Sequence, residues 1–308
     1  MTFQPEWKKL GLLYSPQGKT RHAKLATHAA NPLALHMAND VFRVYYSGRD
    51  EQNRSSVGAV DIDIVRGEVV KDHFDPFLIH GAAGSFFADG ISIGNHYQVN
   101  GSTFILFMGW QTPAEGHWRG DIGRIIVTED LTLQITDRQP YLALDSDDPI
   151  SLSYPWVMQT APNRYDMWYG STLTWEAENG EMVHIIKHAQ SADGVSWHKT
   201  DSIVPYQLNY AQAFSRPSVI KNSEHRLDMW FSYRSGTGQK YRIGYAYNTG
   251  EGWQLALDNS GINVSESGWD SEMIEYPFVF QHKSKTYMLY CGNGYGRTGF
   301  GLAVLNTQ

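Results

Sequence analysis

Short runs of apolar and aromatic residues alternate with glycine-rich or polar turns along the whole chain. One run, YMLYCGNGY from Tyr287, has four relatives upstream: FRVYYSGRD from Phe42, FILFMGWQT from Phe104, YDMWYGSTL from Tyr165 and LDMWFSYRS from Leu227. The starts of consecutive copies lie 62, 61, 62 and 60 residues apart. A period this regular over the whole chain predicts stacked or radial repeats.

The segments around each copy also recur. A strand with small residues follows each copy, and a proline stands ten residues before four of the five, at Pro32, Pro155, Pro217 and Pro277, while Gly94 takes that place in the second unit. Proline is tolerated at the first residue of a strand because no ladder donor is needed there. Each unit therefore predicts a four-stranded antiparallel meander. Five such units predict an all-β fold, a five-bladed β-propeller.

The two ends of the chain complement each other. The fifth unit stops after its third strand, and EWKKLGLLYS near the N-terminus resembles WHKTDSIVPY, the predicted outer strand of the third unit. We expect the N-terminal strand to complete the fifth blade and close the ring, which removes the free sheet edges. Residues 1–308 would then form a single domain. A β-sandwich also has short strands and frequent turns, but it does not predict the period.

Composition narrows the possible partners. The 308-residue chain is 42% hydrophobic and has a formal net charge of −7 with no long basic run, so a nucleic-acid footprint is absent. Cys291 is the single cysteine, and the sequence indicates no disulfide-dependent design. MTFQPEWKKL lacks the apolar core of a signal peptide, and no apolar run approaches the length of a membrane span. We expect a cytoplasmic protein with no membrane partner.

Polar and aromatic residues gather at one predicted edge. In an antiparallel meander the start of the first strand and the end of the second lie at the same edge, so these loops should converge near the propeller axis. The set is His28, Asn31, Arg49, Asp50, Asp89, Trp110, Arg216, Arg234, Glu275, Tyr276 and Asn293. Aromatic faces with carboxylates and amides suit a sugar. For any one residue, the alternative is that it satisfies loop backbone at a strand end.

Carboxylates at this edge could act in catalysis. Hydrolysis of a glycosidic bond needs two carboxylates, one that protonates the leaving oxygen and one that acts as nucleophile or activates water. Asp89 and Glu275, from different units, are the best candidate pair. Asp50 is the reserve, since it follows Arg49 and could hold that arginine in place.

Arginines widen the range of substrates. Arg49, Arg216 and Arg234 all fall on the predicted edge, and guanidinium forks match phosphate or carboxylate. They favour a phosphorylated or acidic sugar over a neutral one, unless each pairs with a neighbouring carboxylate. The sequence has no HExxH and no close Cys/His cluster, so neither a transition-metal site nor another cofactor is expected.

The loops GSFFADG and GWDSEMIEYP and the turn GNGYGRTGFG resemble those of five-bladed propeller proteins related to glycoside hydrolases. The relatives in question are the arabinanase and xylosidase type, the fructan hydrolases and the mannoside phosphorylases. The resemblance implies a glycan-directed site at the axis, although the third unit lacks the carboxylate that the hydrolases carry there. We expect a carbohydrate-active enzyme of hydrolase, phosphorylase or transferase type. The alternative is a non-catalytic glycan-binding propeller in polysaccharide metabolism.

Overall fold

The computed structural model describes residues 4–236 and 238–306; residues 1–3, 237 and 307–308 of the expected 1–308 domain lie outside the described part. The fold is all-β and its strands pair almost entirely antiparallel. The strands form two eight-stranded sheets and one four-stranded sheet. Each eight-stranded sheet consists of two antiparallel meanders joined by a single parallel residue pair, Ser55 with Gly90 in one and His184 with Ala213 in the other.

The strands fall into five groups, which we call meanders 1 to 5. The first strand, β1 (Trp7–Tyr14), belongs to meander 5. Meander 1 has β2 (Thr27–Ala38), β3 (Val41–Arg49), β4 (Ser55–Asp63) and β5 (Glu68–Asp72). Meander 2 has β6 (Gly90–Val99), β7 (Ser102–Gln111), β8 (Arg119–Val127) and β9 (Leu133–Ile135).

The remaining meanders follow the same order. Meander 3 has β10 (Leu152–Ala161), β11 (Arg164–Thr174), β12 (Val183–Ser191) and β13 (His198–Ile203). Meander 4 has β14 (Ala213–Ser223), β15 (Arg226–Arg234), β16 (Arg242–Asn248) and β17 (Trp253–Leu255). Meander 5 has β18 (Glu275–His282), β19 (Lys285–Cys291) and β20 (Phe300–Leu305). The helical segments are the 3-10 turns Ala23–Leu25 and Leu257–Asn259 and the short α1 (Asn293–Gly296).

Burial falls from the inner strands to the outer ones. In meander 1, eight of the nine residues of β4 are buried, whereas every residue of β5 is exposed. A strand covered on both faces reads as a continuous apolar run, which is why the repeat is so visible in the sequence. No helix among residues 4–236 and 238–306 is long and apolar enough to cross a bilayer.

The first strands hold the meanders together. Each contacts the first strand of the next meander, and β18 also contacts β2. Asn95 exchanges two hydrogen bonds with the backbone of Val157 in the next meander, at 2.8 and 2.7 Å. In the same way, the Val279 N–H donates to Ser218 Oγ at 2.8 Å. Side chains thus replace the missing ladder between neighbouring meanders.

All five first strands carry an irregularity in their pairing where four of them have proline. The register shifts around Pro32, Gly94, Pro155, Pro217 and Pro277. The residue before each of the four prolines has a positive φ: Asn31 (52°), Tyr154 (33°), Arg216 (48°) and Tyr276 (54°). Such angles are uncommon outside glycine. This bulge re-aims the side chain that precedes the proline.

Strand β1 completes meander 5, as the sequence predicts. It pairs antiparallel with β20 from Trp7–Leu305 to Tyr14–Phe300. Trp7 is 6% exposed and packs edge-on against Trp230 of meander 4, with ring centroids 5.3 Å apart. The N-terminal strand therefore joins two meanders through a buried indole.

Replacing Trp7 by alanine should lower the free energy of unfolding by about 3–5 kcal/mol, the usual loss for a buried tryptophan. Urea unfolding followed by circular dichroism would measure it. Leu10→Ala is the matched control, because Leu10 lies on the same strand and is 50% exposed. A Trp7→Ala variant as stable as Leu10→Ala would mean that β1 does not stabilise the fold.

Candidate functional site

A cavity of about 650 Å³ opens where the second strands end. Four of the predicted site residues line it: Arg49, Trp110, Arg234 and Tyr276. They come from meanders 1, 2, 4 and 5, so distant parts of the sequence do converge at this edge. The Trp110 indole donates to Ser55 Oγ at 3.0 Å, which fixes one wall of the cavity.

Tyrosines form another wall of the cavity. Tyr154 and Tyr276, both at the strained position before proline, have ring centroids 5.4 Å apart. Tyr241 and Tyr295 also line the cavity, with centroids 6.1 Å apart. Burial raises the pKa of all four phenols, so they are neutral hydrogen-bonding groups at physiological pH.

Glu275 directly precedes Tyr276 at the start of β18 and is not among the cavity-lining residues. It is fully buried, and neither carboxyl oxygen has a hydrogen-bond partner among the described residues. Burial raises the pKa of Glu275 well above its usual value of 4.5, and the charge of Arg49 opposes this shift only in part. The carboxyl group therefore keeps its proton to a higher pH than an exposed glutamate does.

Arg234 brings a second carboxylate to the cavity. Its Nη2 lies 2.7 Å from Oε2 of Glu181, which also lines the cavity. Nε of Arg234 is buried and has no partner among the described residues. Arg49 donates to Oδ1 of Asn53 at 2.7 Å, an amide that leaves its positive charge uncompensated. Two guanidinium groups with spare donors thus face one cavity.

Arg216 has a different place from the one expected. It is 2% exposed, is not among the cavity-lining residues, and donates to three backbone carbonyls: Tyr276 O at 2.9 Å, Pro32 O at 2.8 Å and Gly94 O at 3.3 Å. Burial lowers the pKa of Arg216 to about 10, so the group stays charged at neutral pH. Its donors are used to join meanders.

His184 is a buried residue of the cavity wall. Its Nε2 lies 2.6 Å from Ser153 Oγ and its Nδ1 lies 2.7 Å from Thr172 Oγ1. Burial lowers the pKa of His184 to about 4, so the ring is neutral and one of its nitrogens must accept a hydrogen bond from a hydroxyl. His184 and Ser153 both line the cavity.

The two aspartates expected in catalysis do not line the cavity. Asp50 is 6% exposed and accepts hydrogen bonds from Lys24 and from Arg54, so it braces the β3–β4 turn. Its neighbour Arg49 is free of it, contrary to the suggestion that Asp50 holds that arginine. Asp89 accepts a hydrogen bond from the Thr112 N–H at 2.6 Å, which anchors the loop after β7.

The other three predicted binding residues also lie outside the cavity lining. His28 has a positive φ and a pKa lowered to about 4 by burial and by Arg49 and Arg297. The side-chain oxygen of Asn31 is buried without a partner among the described residues. Asn293 accepts the Glu272 N–H and donates to Gly268 O, so it braces the approach loop.

Several lining residues escaped the sequence analysis for a topological reason. The prediction considered the start of the first strand and the end of the second. In an antiparallel meander the third strand begins at that same edge, and His184 lies next to the start of β12 while Tyr241 directly precedes β16. Glu181 lies just before β12 in the long connection of the third unit. That connection therefore supplies the carboxylate missing from the approach of unit three.

No cluster of three or more His, Cys, Asp or Glu side chains suited to a metal ion occurs within the described ranges. The side chains that line the cavity instead include phenols, guanidinium groups, indoles, hydroxyls and one ion-paired carboxylate. This set can bind a hydroxyl-rich ligand and an anionic group together.

Solved structures with this architecture define the class of fold. A glycoside hydrolase superposes with a TM-score of 0.72 over 99% of this chain and 93% of its own, at 13% identity. An endo-arabinase from Bacteroides thetaiotaomicron gives 0.65 over 94% and 97% at 10% identity. A structure from the GH130 family of mannoside phosphorylases and glycoside hydrolases gives 0.69 over 98% and 94% at 13% identity. The chain shares the β-rich fold of these structures.

Sequence relatives define the family more narrowly. The proteins MT1551 and Rv1502 from two strains of Mycobacterium tuberculosis, both described as uncharacterized, are each 41% identical over 303 residues, 97% of this chain and 99% of theirs. The chain belongs to the family of MT1551 and Rv1502. No protein-family model matches it.

The protonated state of Glu275 predicts a pH dependence of stability. Between the usual pKa of 4.5 and the raised folded value, the unfolded chain has lost this proton and the folded chain keeps it. The contribution of Glu275 to the free energy of unfolding therefore falls as pH rises, by up to about 1.4 kcal/mol per pH unit. Glu275→Gln removes this titration, so the variant should gain stability relative to wild type as the pH rises above 4.5.

Urea unfolding of both proteins across that range measures the difference. Glu178→Gln is the control, since Glu178 is exposed. A constant difference between wild type and Glu275→Gln would mean that Glu275 is ionised in the folded protein.

Proposed function

We propose that this protein is a carbohydrate-active enzyme that cleaves or transfers a glycosyl group in the cavity, with Glu275 as the proton donor. The observation that carries the proposal is a fully buried carboxyl group with a raised pKa, on the residue that directly precedes Tyr276 of the cavity wall. A carboxylic acid kept neutral near pH 7 can give a proton at the pH where the enzyme works.

The chemistry follows from that proton. Glu275 would transfer it to the glycosidic oxygen as the bond from that oxygen to the anomeric carbon breaks, and the bonding electrons stay with the oxygen. The anomeric carbon then receives a nucleophile. Glu275 is shielded in the free protein, so the proposal requires Tyr154 or Tyr276 to move when substrate binds. Catalytic hydrogen bonds often form only in the complex.

The nucleophile could be either of two molecules, water or a phosphate. Glu181 is a carboxylate in the cavity and could take a proton from an attacking water, which gives hydrolysis. Alternatively, Arg49 and Arg234 could hold a phosphate or a phosphorylated donor, which gives phosphorolysis or transfer. The buried, unpartnered Nε of Arg234 favours the anionic route. Asp50 and Asp89 are engaged in loops, so we assign the second carboxylate role to Glu181.

The proposal includes an architecture. We propose that the five meanders are the blades of one five-bladed propeller domain closed by β1. The circuit of contacts among the first strands supports it, because β18 reaches back to β2. Arg216 supports it as well, since it bonds from meander 4 to carbonyls of meanders 1, 2 and 5.

A glycan-binding protein without catalysis is the second candidate. The shielding of Glu275 favours it, because no oxygen of this carboxyl group is exposed in the free protein. In that case the tyrosines, indoles and arginines of the cavity would bind a sugar, and Glu275 would only preserve the packing behind them.

Replacing Glu275 by glutamine separates the two candidates. Purified protein would be assayed on aryl arabinofuranosides, xylosides, fructosides and mannosides, with and without phosphate. In an enzyme, Glu275→Gln should lower kcat by about 100-fold or more, the usual contribution of a general acid, with ligand affinity nearly unchanged. Arg234→Gln should remove only a rate that depends on phosphate.

Glu178→Gln, on the same connection as Glu181 but exposed, is the control and should keep the wild-type rate. A substrate that Glu275→Gln turns over as fast as wild type would refute Glu275 as proton donor. Saturable sugar binding without turnover of any glycoside would favour the binding protein instead.

A further inference from the structure

Two connections at the cavity mouth are longer than their counterpart in meander 1. Residues 112–118 join β7 to β8 and residues 175–182 join β11 to β12, whereas residues 50–54 join β3 to β4. The two long connections belong to neighbouring meanders. They bring His117, Trp118 and Trp175 to the cavity.

The three rings form one aromatic cluster. His117 stacks on Trp175 with centroids 4.7 Å apart and planes 23° from parallel. Trp118 meets Trp175 edge-on at 4.9 Å. Trp118 also lies 6.1 Å from His184, deeper in the cavity. Burial decreases along this series, from buried His184 through half-buried Trp118 and Trp175 to exposed His117.

Both connections are hydrogen-bonded to loop residues that directly precede first strands, Asp89 before β6 and Gln212 before β14. The Thr112 N–H, at the start of the first connection, donates to Asp89 Oδ2 at 2.6 Å. In the second connection, Asn179 Nδ2 donates to Gln212 Oε1 at 2.8 Å and to Asn209 Oδ1 at 2.7 Å. Asp89 therefore positions the aromatic cluster rather than the reacting bond. A platform fixed in this way loses little entropy when a ligand binds.

Half-buried indoles beside a polar cavity can stack against an apolar surface of a ligand. The ring C–H face of a sugar provides one, while its hydroxyls remain free for hydrogen bonds at the edge. The cavity volume of about 650 Å³ lies well within the range of about 300–1,000 Å³ for pockets that enclose drug-sized ligands. The buried phenols of Tyr241 and Tyr276 lie at the inner end, and the half-buried indoles of Trp118 and Trp175 at the outer end.

We infer that Trp118 and Trp175 form a subsite for the second sugar of an oligosaccharide whose first sugar occupies the inner, tyrosine-lined end. This inference rests on the proposed function, and it extends it: the ligand is an oligosaccharide of at least two residues. The second sugar stacks its C–H face on the indoles. Specificity for chain length then resides in meanders 2 and 3.

Calorimetric titration with two oligosaccharide series tests the subsite. The probes are β-1,2-linked mannose and arabinan-derived arabinose, each from the monosaccharide to the tetrasaccharide. For one of the series, wild type should bind the disaccharide at least about tenfold more tightly than the monosaccharide. Trp175→Ala and Trp118→Ala should each remove most of this difference in affinity and leave monosaccharide affinity within about twofold of the wild-type value.

Trp175→Phe keeps an aromatic face and should keep most of the difference in affinity between disaccharide and monosaccharide. Trp197→Phe is the control, because Trp197 bonds to Tyr141 away from the cavity. The inference would be overturned if Trp175→Ala weakened the binding of monosaccharide and disaccharide equally. It would also be overturned if wild type bound both with the same affinity, or bound neither series. Because the experiment measures binding, the subsite could be supported even if the proposed catalysis were refuted. Turnover of a glycoside without any gain in affinity from monosaccharide to disaccharide would refute the subsite and leave the proposed function intact.

Discussion

The described structure depends on how separate meanders are fastened at their inner strands, and Arg216 is central to this. A strand ladder cannot run between neighbouring meanders, which share at most a single parallel residue pair. Arg216 supplies donors to three carbonyls on three other meanders and is nearly fully buried. Burying a charge is costly unless its hydrogen bonds are made, so the meanders must keep these carbonyls in place. Carbonyl oxygens are ligands that calcium also prefers, and here a guanidinium group takes them.

The same backbone feature that places Arg216 also builds the cavity. Asn31, Tyr154 and Tyr276 occupy the corresponding position before proline, each with a positive φ. A conformation of this kind costs of order 1–3 kcal/mol per residue and persists where the surroundings fix it. Bonds between meanders fix it here; for example, the Tyr276 N–H on β18 donates to Ser232 Oγ on β15 at 2.7 Å. The strain at Tyr154 and Tyr276 and their place in the cavity wall therefore have one structural origin.

The strands were predictable because the repeat is expressed in buried apolar runs, and the pairing of β1 with β20 was predictable because the fifth unit lacked an outer strand. Four of the cavity-lining residues, Arg49, Trp110, Arg234 and Tyr276, were also predictable from strand order alone. Arg216 could not be assigned, since sequence does not distinguish a guanidinium that binds a ligand from one that bonds to backbone carbonyls. His184 and Tyr241 were missed because third-strand starts were not considered, although the antiparallel order places them at the same edge.

The central claim is that Glu275 is protonated in the folded protein at neutral pH. It is tested most directly by nuclear magnetic resonance of protein whose glutamates carry an isotopic label at the carboxyl carbon. In a pH titration, the account predicts one resonance that keeps the chemical shift of a protonated carboxyl at pH 7 and is absent from Glu275→Gln. If every glutamate resonance instead titrates near the ordinary value of 4.5, Glu275 is ionised, and the assignment of Glu275 as proton donor is contradicted.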